Sequence, residues 1–274
     1  MNVILGIRVG SVGWVLSAAM LVSQTGGGAQ TKQSTSYLKQ ATISQTGRKM
    51  HITANSPRPL HQILESFQNK FGWKIDYEDP QYVSSLDVID VVGPESAALS
   101  SGGNARYPRG GNFEVDLTTA AADSSPDQKM ALQTVLDAYN SSTNPGRFEL
   151  RPNPDGSSDF VGVAAHDEKG QIAKQQPVLD VAITLPAEER SVADTVDLIC
   201  QKVAEQSHTP VTVGVTPFGL FTKRKTKTGG TQESARALLI KALTFEGHNF
   251  YWYLLFDPNS KGYYLDIHSL RTKQ

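Results

Sequence analysis

The side chains able to carry chemistry in this 274-residue chain are few and scattered. Its six histidines (His51, His61, His166, His208, His248, His268) never fall at i, i+4 on one helix face or beside a second ligand at metal spacing, so no metal centre is expected. The densest polar cluster, His166-Asp167-Glu168, lies in a Gly- and Gln-rich stretch where a solvated loop is the ordinary outcome. Cys200 is the single cysteine, which excludes an internal disulfide and a cysteine-based zinc cluster, and its place on an apolar helix stripe reads as a small core residue. Asp76, Glu78 and Asp79 crowd near a turn but lack the spaced ligand loop that calcium needs. There is no Gly-x-Ser-x-Gly elbow, and in Thr228-Gly229-Gly230-Thr231 the lysines precede the glycines instead of opening a helix after them. No catalytic residue and no cofactor are expected.

Two surfaces stand above this background. Lys223-Arg224-Lys225-Thr226-Lys227 places four cations in five residues, a docking point for an anionic surface or acidic partner unless it is simply a solvated loop tip. Tyr251, Trp252 and Tyr253, with Tyr263 and Tyr264 on a returning strand, load both faces of one hairpin with aromatic area. One face must look away from its own helices. It either packs on the first half of the chain or forms a partner surface.

The elements that carry these residues are legible from periodicity. His51 to Ala54 alternates as a strand. Ser56-Pro57 then opens a helix with the stripe Leu60, Ile63, Leu64, Phe67 and Phe71, closed by Gly72. Trp73 to Tyr77 and Phe113 to Leu117 read as strands, and Ser125-Pro126 with Gln128 caps a helix striped by Leu132, Val135, Leu136 and Tyr139. A hairpin follows, Arg147 to Arg151 and Asp159 to Val163, turned by Pro152-Asn153-Pro154-Asp155-Gly156. The second half repeats the order. It has a strand at 178–185 and a helix capped by Ser191 with the stripe Val192, Val196, Ile199, Cys200 and Val203. Strands at 210–215 and 218–222 follow, then a helix with Ala235, Leu238, Leu239, Ala242 and Leu243 on one side. A closing hairpin spans 249–256 and 262–268.

The expected fold class is therefore α+β: two similar small modules, each β-α-β-β-α-β-β with two helices packed on a small mixed sheet plus a terminal hairpin. The first module spans 48–163, with a long Gly/Ser-rich surface loop at 84–112. The second spans 178–270, and residues 164–177 link them. A single continuous sheet spanning both halves, or different strand orders in them, would remove the kinship of the halves and what is inferred from it.

Upstream, Met1 to Arg8 carries one positive charge, 9–23 is mostly apolar but interrupted by Gly and Ser, and Gly27-Gly28-Ala29 supplies small residues. This is the order of a signal peptide cleaved after Ala29, with an uncleaved N-terminal anchor as the alternative. Residues 30–47 are polar and read as a flexible spacer. With 39% apolar and 19% charged residues the body should fold as a globular unit, and a net charge of −1 gives no global attraction to nucleic acid or anionic membrane.

In pattern more than in letters, the body resembles the short N-terminal (STN) domain of secretins and TonB-dependent receptors. In the first half the resemblance rests on Pro59 to Val83 (PLHQILESFQNKFGWKIDYEDPQYV), a helix, a Gly, a short strand and an acidic-Pro turn. Gln128 to Tyr139 with its hairpin matches the family's second half. The second copy, Ser191 to Ile267, keeps the topology but has Thr216-Pro217 in place of Asp79-Pro80 and Thr209-Pro210 where a Gly-aromatic pair should stand. The resemblance implies a stand-alone periplasmic or secreted module that contacts an envelope protein or a secretion or uptake component. The missing catalytic signature makes it non-enzymatic, the charge balance gives no nucleic-acid partner, and the leader reading gives no membrane span in the mature chain unless the leader is retained. Within the chain, the expected contact surfaces are sheet edges and the aromatic hairpin. Two alternatives stand beside it. One is a hydrolase with a His/carboxylate site at the module junction, and the other is an anionic glycan- or lipid-binding protein using Lys223, Arg224, Lys225 and Lys227.

Overall fold

The computed structural model describes residues 40–55, 57–91, 105–153 and 155–270. The leader at 1–29, most of the spacer, the Ser56 cap, the centre of the 84–112 loop and Pro154 of the hairpin turn lie outside the described residues.

The structure is mixed α+β. The first half contains β1 (Thr42–Thr46), β2 (Lys49–Ala54), α1 (Pro59–Phe71), β3 (Ile75–Glu78), β4 (Val88–Val91), β5 (Ala105–Pro108), β6 (Phe113–Thr118), α2 (Gln128–Asn140), β7 (Arg147–Pro152), β8 (Ser158–His166) and β9 (Ile172–Lys174). The second contains β10 (Ala182–Leu185), β11 (Arg190–Ser191), α3 (Val192–Ser207), β12 (Val211–Val213), the one-turn α4 (Phe218–Phe221), β13 (Lys225–Thr226), β14 (Gly230–Ser234), α5 (Ala235–Leu243), β15 (Phe250–Asp257) and β16 (Gly262–Ser269).

The four longer helices form for the reasons their sequences give. Leu60, Ile63, Leu64 and Phe67 of α1 are buried, and Gly72 takes the left-handed conformation (φ 73°) that ends it, its N–H donating to the Gln68 carbonyl. In α3, Ser191 Oγ accepts from Asp194 N at 3.0 Å as its cap, and the stripe from Val192 to Val203, Cys200 included, is buried. The stripes of α2 and α5 are buried as well. Two starts are displaced from their expected places. α1 begins at Pro59, with that proline in its first turn, and α2 is capped by Asp127, whose carboxylate accepts from Met130 N at 2.9 Å, and not by Ser125.

The sheets depart from the expected arrangement. β2 pairs with β1 on one side and with β6 on the other in a separate antiparallel sheet, and β10 pairs with β14 in another. The remaining long strands form one sheet in the order β12-β16-β15-β3-β8-β7, with β9 on β8, so a single sheet crosses from one half to the other. This corrects the expectation of one small sheet per half. The crossing is the parallel pairing of β15 with β3, Tyr253 beside Tyr77 and Leu254 beside Glu78. Within each half the pairings run alike: β3 is parallel to β8 and β8 antiparallel to β7, while β12 is parallel to β16 and β16 antiparallel to β15.

Alternation along β15 and β3 places a core on each face of this sheet. Trp252, Leu254 and Phe256 join the α3 and α5 side chains, and Ile183 and Leu185 of β10 close that core from beyond. Tyr253, with Tyr251 and Leu255 alongside, joins Ile75, Tyr77 and the α1 and α2 side chains, closed by Met50, Ile52, Phe113, Val115 and Leu117. The result is five layers, sheet, helices, shared sheet, helices, sheet.

Other expected segments change identity. Residues 42–46, placed in the flexible spacer, form β1, and the 84–112 loop contains the antiparallel β4/β5 ladder. The supposed linker at 164–177 is partly strand, since β8 runs on to His166 and β9 (Ile172–Lys174) pairs back onto it. Residues 178–180 form a 3₁₀ turn before β10 starts. The strand expected at 218–222 is instead the helical turn Phe218–Phe221 with Thr222 as its C-cap: Pro217 (φ −70°) is preset for a first turn, and the Leu220 and Phe221 N–H groups donate to its carbonyl. That turn points Phe221 inward against Phe250.

Candidate functional site

β3 supplies the polar residues at the junction of the halves. Its odd members, Ile75 and Tyr77, face the first core, so Asp76 and Glu78 point to the opposite face, onto which the second half's helices pack. Asp159 of β8 is buried with them, and a single cation serves all three elements. Arg236, at the start of α5 and 7% exposed, donates from Nη2 to Glu78, from Nη1 to Asp159 (3.2 Å) and from Nε to Asp180 (2.9 Å). Its guanidinium carbon lies 5.5 Å from the Trp252 ring centroid, and Asp180 takes a further bond from Arg151 at 2.6 Å. Asp76 accepts from Trp252 N at 2.8 Å. Burial and the neighbouring Asp159 carboxyl push its pKa well above the ordinary aspartate range.

Asp79 makes a second knot. It accepts from Arg58 Nε (2.7 Å), Tyr77 Oη (2.7 Å) and Phe256 N (3.0 Å), while its own N–H donates to the Leu254 carbonyl (2.9 Å). Arg58 Nη2 donates to the Phe256 carbonyl at 2.6 Å. The β3/β15 ladder is thus short, and side-chain carboxylates extend it on both sides. The three acidic residues that the sequence left as a weak calcium candidate hold the two halves together, and no group of three or more metal-ligating side chains is present among the described residues. The signal in the sequence was Asp76 and Glu78 alternating with Ile75 and Tyr77. Its meaning depended on a partner layer nearly 160 residues away.

Of the aromatic candidates, Trp252, Tyr253 and Tyr263 are buried, so they are not a partner surface. Tyr253 donates to Gln68 Oε1 of α1 and meets the His61 ring edge-on at 4.2 Å, which is the packing on the first half that the alternation allowed. Tyr263 donates to the Asp79 carbonyl at 3.2 Å. Tyr251 is half-buried against His268 (5.3 Å), and Tyr264 is 42% exposed. Lys223, Arg224, Lys225 and Lys227 are all exposed and make no ion pair with a described residue; Arg224 lies over the Phe245 ring at 5.9 Å.

The histidines separate into distinct settings. His166 Nδ1 lies 2.6 Å from the buried Asp87 carboxylate, and His51 Nδ1 lies 2.7 Å from Asp116. His61 carries a buried Nε2 without a hydrogen-bond partner among the described residues, and desolvation with the nearby Arg58 charge brings its pKa down to about 3. A groove of about 700 Å³ across the junction is lined by Glu65, Gln68, Tyr251, His268 and Ser269. Burial holds the Glu65 pKa up and the His268 pKa down, favouring the neutral forms. Neither side chain hydrogen-bonds to the other or to a described hydroxyl or thiol. Cys200 is buried, and its pKa is pushed up to about 12 by desolvation.

Comparison with protein-family models, with curated proteins and with solved structures finds no match to this chain. Among the described residues no helix is long and apolar enough to cross a membrane.

Proposed function

We propose that this chain is an exported, non-enzymatic interaction protein of the cell envelope, periplasmic or secreted, built from two copies of an STN-like β-α-β-β-α-β-β module. The observation that carries the reading is the equivalence of strand pairings. In each half an antiparallel pair, β2 with β6 or β10 with β14, lies beyond the helices, and a parallel-then-antiparallel trio lies below them. Ser158 N donates to the Lys74 carbonyl in one half and Tyr263 N to the Pro210 carbonyl in the other, so even the registers correspond. The continuous sheet is the outcome set against kinship, but it is formed by edge-to-edge joining of β3 and β15, and the like strand order inside each half supports keeping the reading. Modules that already associate by adding one strand to another sheet are suited to binding a partner in the same way. In envelope proteins such a partner would be a secretion or uptake component.

The test is export and contact. Isolation from the producing cell should yield an envelope or secreted protein whose N-terminus is Gln30, and photo-crosslinkers at sheet-edge positions should capture an envelope protein. Recovery in the cytosol with Met1 intact would reject the proposal. A second reading, binding of anionic glycans or lipids, is favoured by the exposed Lys223, Arg224, Lys225 and Lys227, which make no ion pair among the described residues. It predicts salt-sensitive binding to anionic vesicles that is lost when the four are neutralised.

A further inference from the structure

The internal joint has an unused counterpart. Because β12 sits on β16 in the register that β3 keeps on β8, Ile75 corresponds to Val211 and Tyr77 to Val213. Tyr263 N reaches the Pro210 carbonyl and Gly214 N the Leu265 carbonyl, so alternation turns the N–H and C=O groups of Val211 and Val213 outward, away from β16. On β3 the corresponding edge receives β15. On β12 it is, among the described residues, the end of the sheet.

Apolar side chains gather beside this edge. Val215 and Phe218, immediately after β12, are 60% and 68% exposed, and Tyr264, the in-register neighbour of Thr212, is 42% exposed. The cations follow directly. The Arg224 carbonyl accepts from Val192 N at the start of α3, and β12 returns antiparallel along that helix, so the basic run lies toward the C-terminal end of β12.

The first half's counterpart of β15 is closed to supplying that strand from a second copy. By register, β7 is the counterpart of β15, with Phe148, Leu150 and Pro152 in the places of Trp252, Leu254 and Phe256. Phe148 N donates to Asn140 Oδ1 (3.0 Å) and Asn140 Nδ2 donates to the Phe148 carbonyl (2.8 Å), which closes that edge. Pro152 has no N–H to offer where Phe256 uses one.

Resting on the proposal of a strand-binding module, we infer that β12 is its acceptor edge: it takes an extended segment of a different protein, in parallel, with apolar residues at alternate positions and acidic residues at its C-terminal end. The segment's backbone pairs with Val211 and Val213, its apolar residues lie against Val215, Phe218 and Tyr264, and its carboxylates face Lys223, Arg224, Lys225 and Lys227.

The probe is the peptide Thr-Val-Thr-Val-Thr-Val-Glu-Glu-Glu, joined after Gln274 of the full chain by a flexible Gly/Ser linker so that its effective concentration is about millimolar. Amide exchange read by NMR should slow at least tenfold at Val211 and Val213, and a peptide with the three Glu first should give no protection. Val213→Pro, whose lost N–H points away from β16, should abolish the effect, as should Lys223→Glu with Lys225→Glu, which leaves the strand intact. Unprotected Val211 and Val213 with the forward peptide, or equal protection by both orders, would overturn the assignment. So would a concentration-dependent dimer of the untethered chain that protects the same amides. Protection mapped instead to β7 or β1 would remove β12 as the acceptor while leaving the strand-binding function standing.

Discussion

Replacing Arg236 by Met keeps much of the side-chain volume and removes the one cation shared by Glu78, Asp159 and Asp180. Asp180 is partly exposed and retains Arg151, so the loss falls on Glu78 and Asp159, both 0% exposed. Removing one partner of a buried pair leaves an uncompensated charge and costs about 3–5 kcal/mol. For a body of this size that lowers Tm by roughly 6–20 °C. Urea unfolding followed by tryptophan fluorescence measures it directly, since Trp252 lies under the guanidinium. The deficit should also depend on pH. Without Arg236 the folded-state pKa values of Glu78 and Asp159, already raised by burial, rise further. A carboxyl with a raised folded pKa stabilises below its unfolded pKa and loses that contribution as pH climbs, so the variant should lie closer to the parent at pH 4.5 than at pH 8. The triple variant Arg236→Met, Glu78→Gln, Asp159→Asn removes the stranded charges and should recover most of the loss. A single-variant loss below about 1 kcal/mol, or a triple variant no better than the single, would refute the account of the junction.

Asp76 and His61 should have opposite pH slopes. Asp76, with a raised folded pKa, loses stability as pH rises above its unfolded value. His61, with a folded pKa of about 3, loses stability as pH falls below about 6.5, at up to about 1.4 kcal/mol per unit. Denaturation series from pH 4 to 7 should therefore show Asp76→Asn gaining on the parent as pH rises and His61→Phe gaining as pH falls; parallel curves would contradict both. Gly162→Ala should destabilise by about 1–3 kcal/mol, because its Cβ would overlap the Pro80 ring and backbone N and sit 2.8 Å from the Asp79 carbonyl carbon, in the knot that β3 makes with β15. Thermal melts decide this. Cys200 should resist a thiol reagent at pH 8 until the chain unfolds, and rapid labelling of folded protein would show that α3 is not packed as described.

The helices were legible because each presents an unbroken apolar stripe at 3.6 spacing, and Gly72 and Ser191 act as their types suggest. The hairpins were legible from alternation and turn residues. β14 was missed because Gly230 to Ser234 is polar and has no buried member, so its pairing with β10 leaves no apolar signature. The Phe218 turn was misread because Phe, Leu and Phe suit a strand as readily as a single helical turn, and Pro217 decided between them. As for the site, exposure of the basic run followed from its composition. The place of Trp252, Tyr253 and Tyr263 did not, because alternation separates two faces without saying what covers them. Asp76 and Glu78 read only as acidic residues near a turn for the same reason: nothing in the first half alone shows what covers their face.

During synthesis β3 leaves the ribosome long before β15, and until β15 arrives it is an uncovered sheet border. A bare border of this kind invites pairing with other nascent chains. Asp76 and Glu78 give it negative charge for as long as it waits, which discourages such pairing, and the same two carboxylates are later taken up by the Trp252 amide and by Arg236. Residues that keep the unfinished chain soluble are thus the ones that bind the finished halves together.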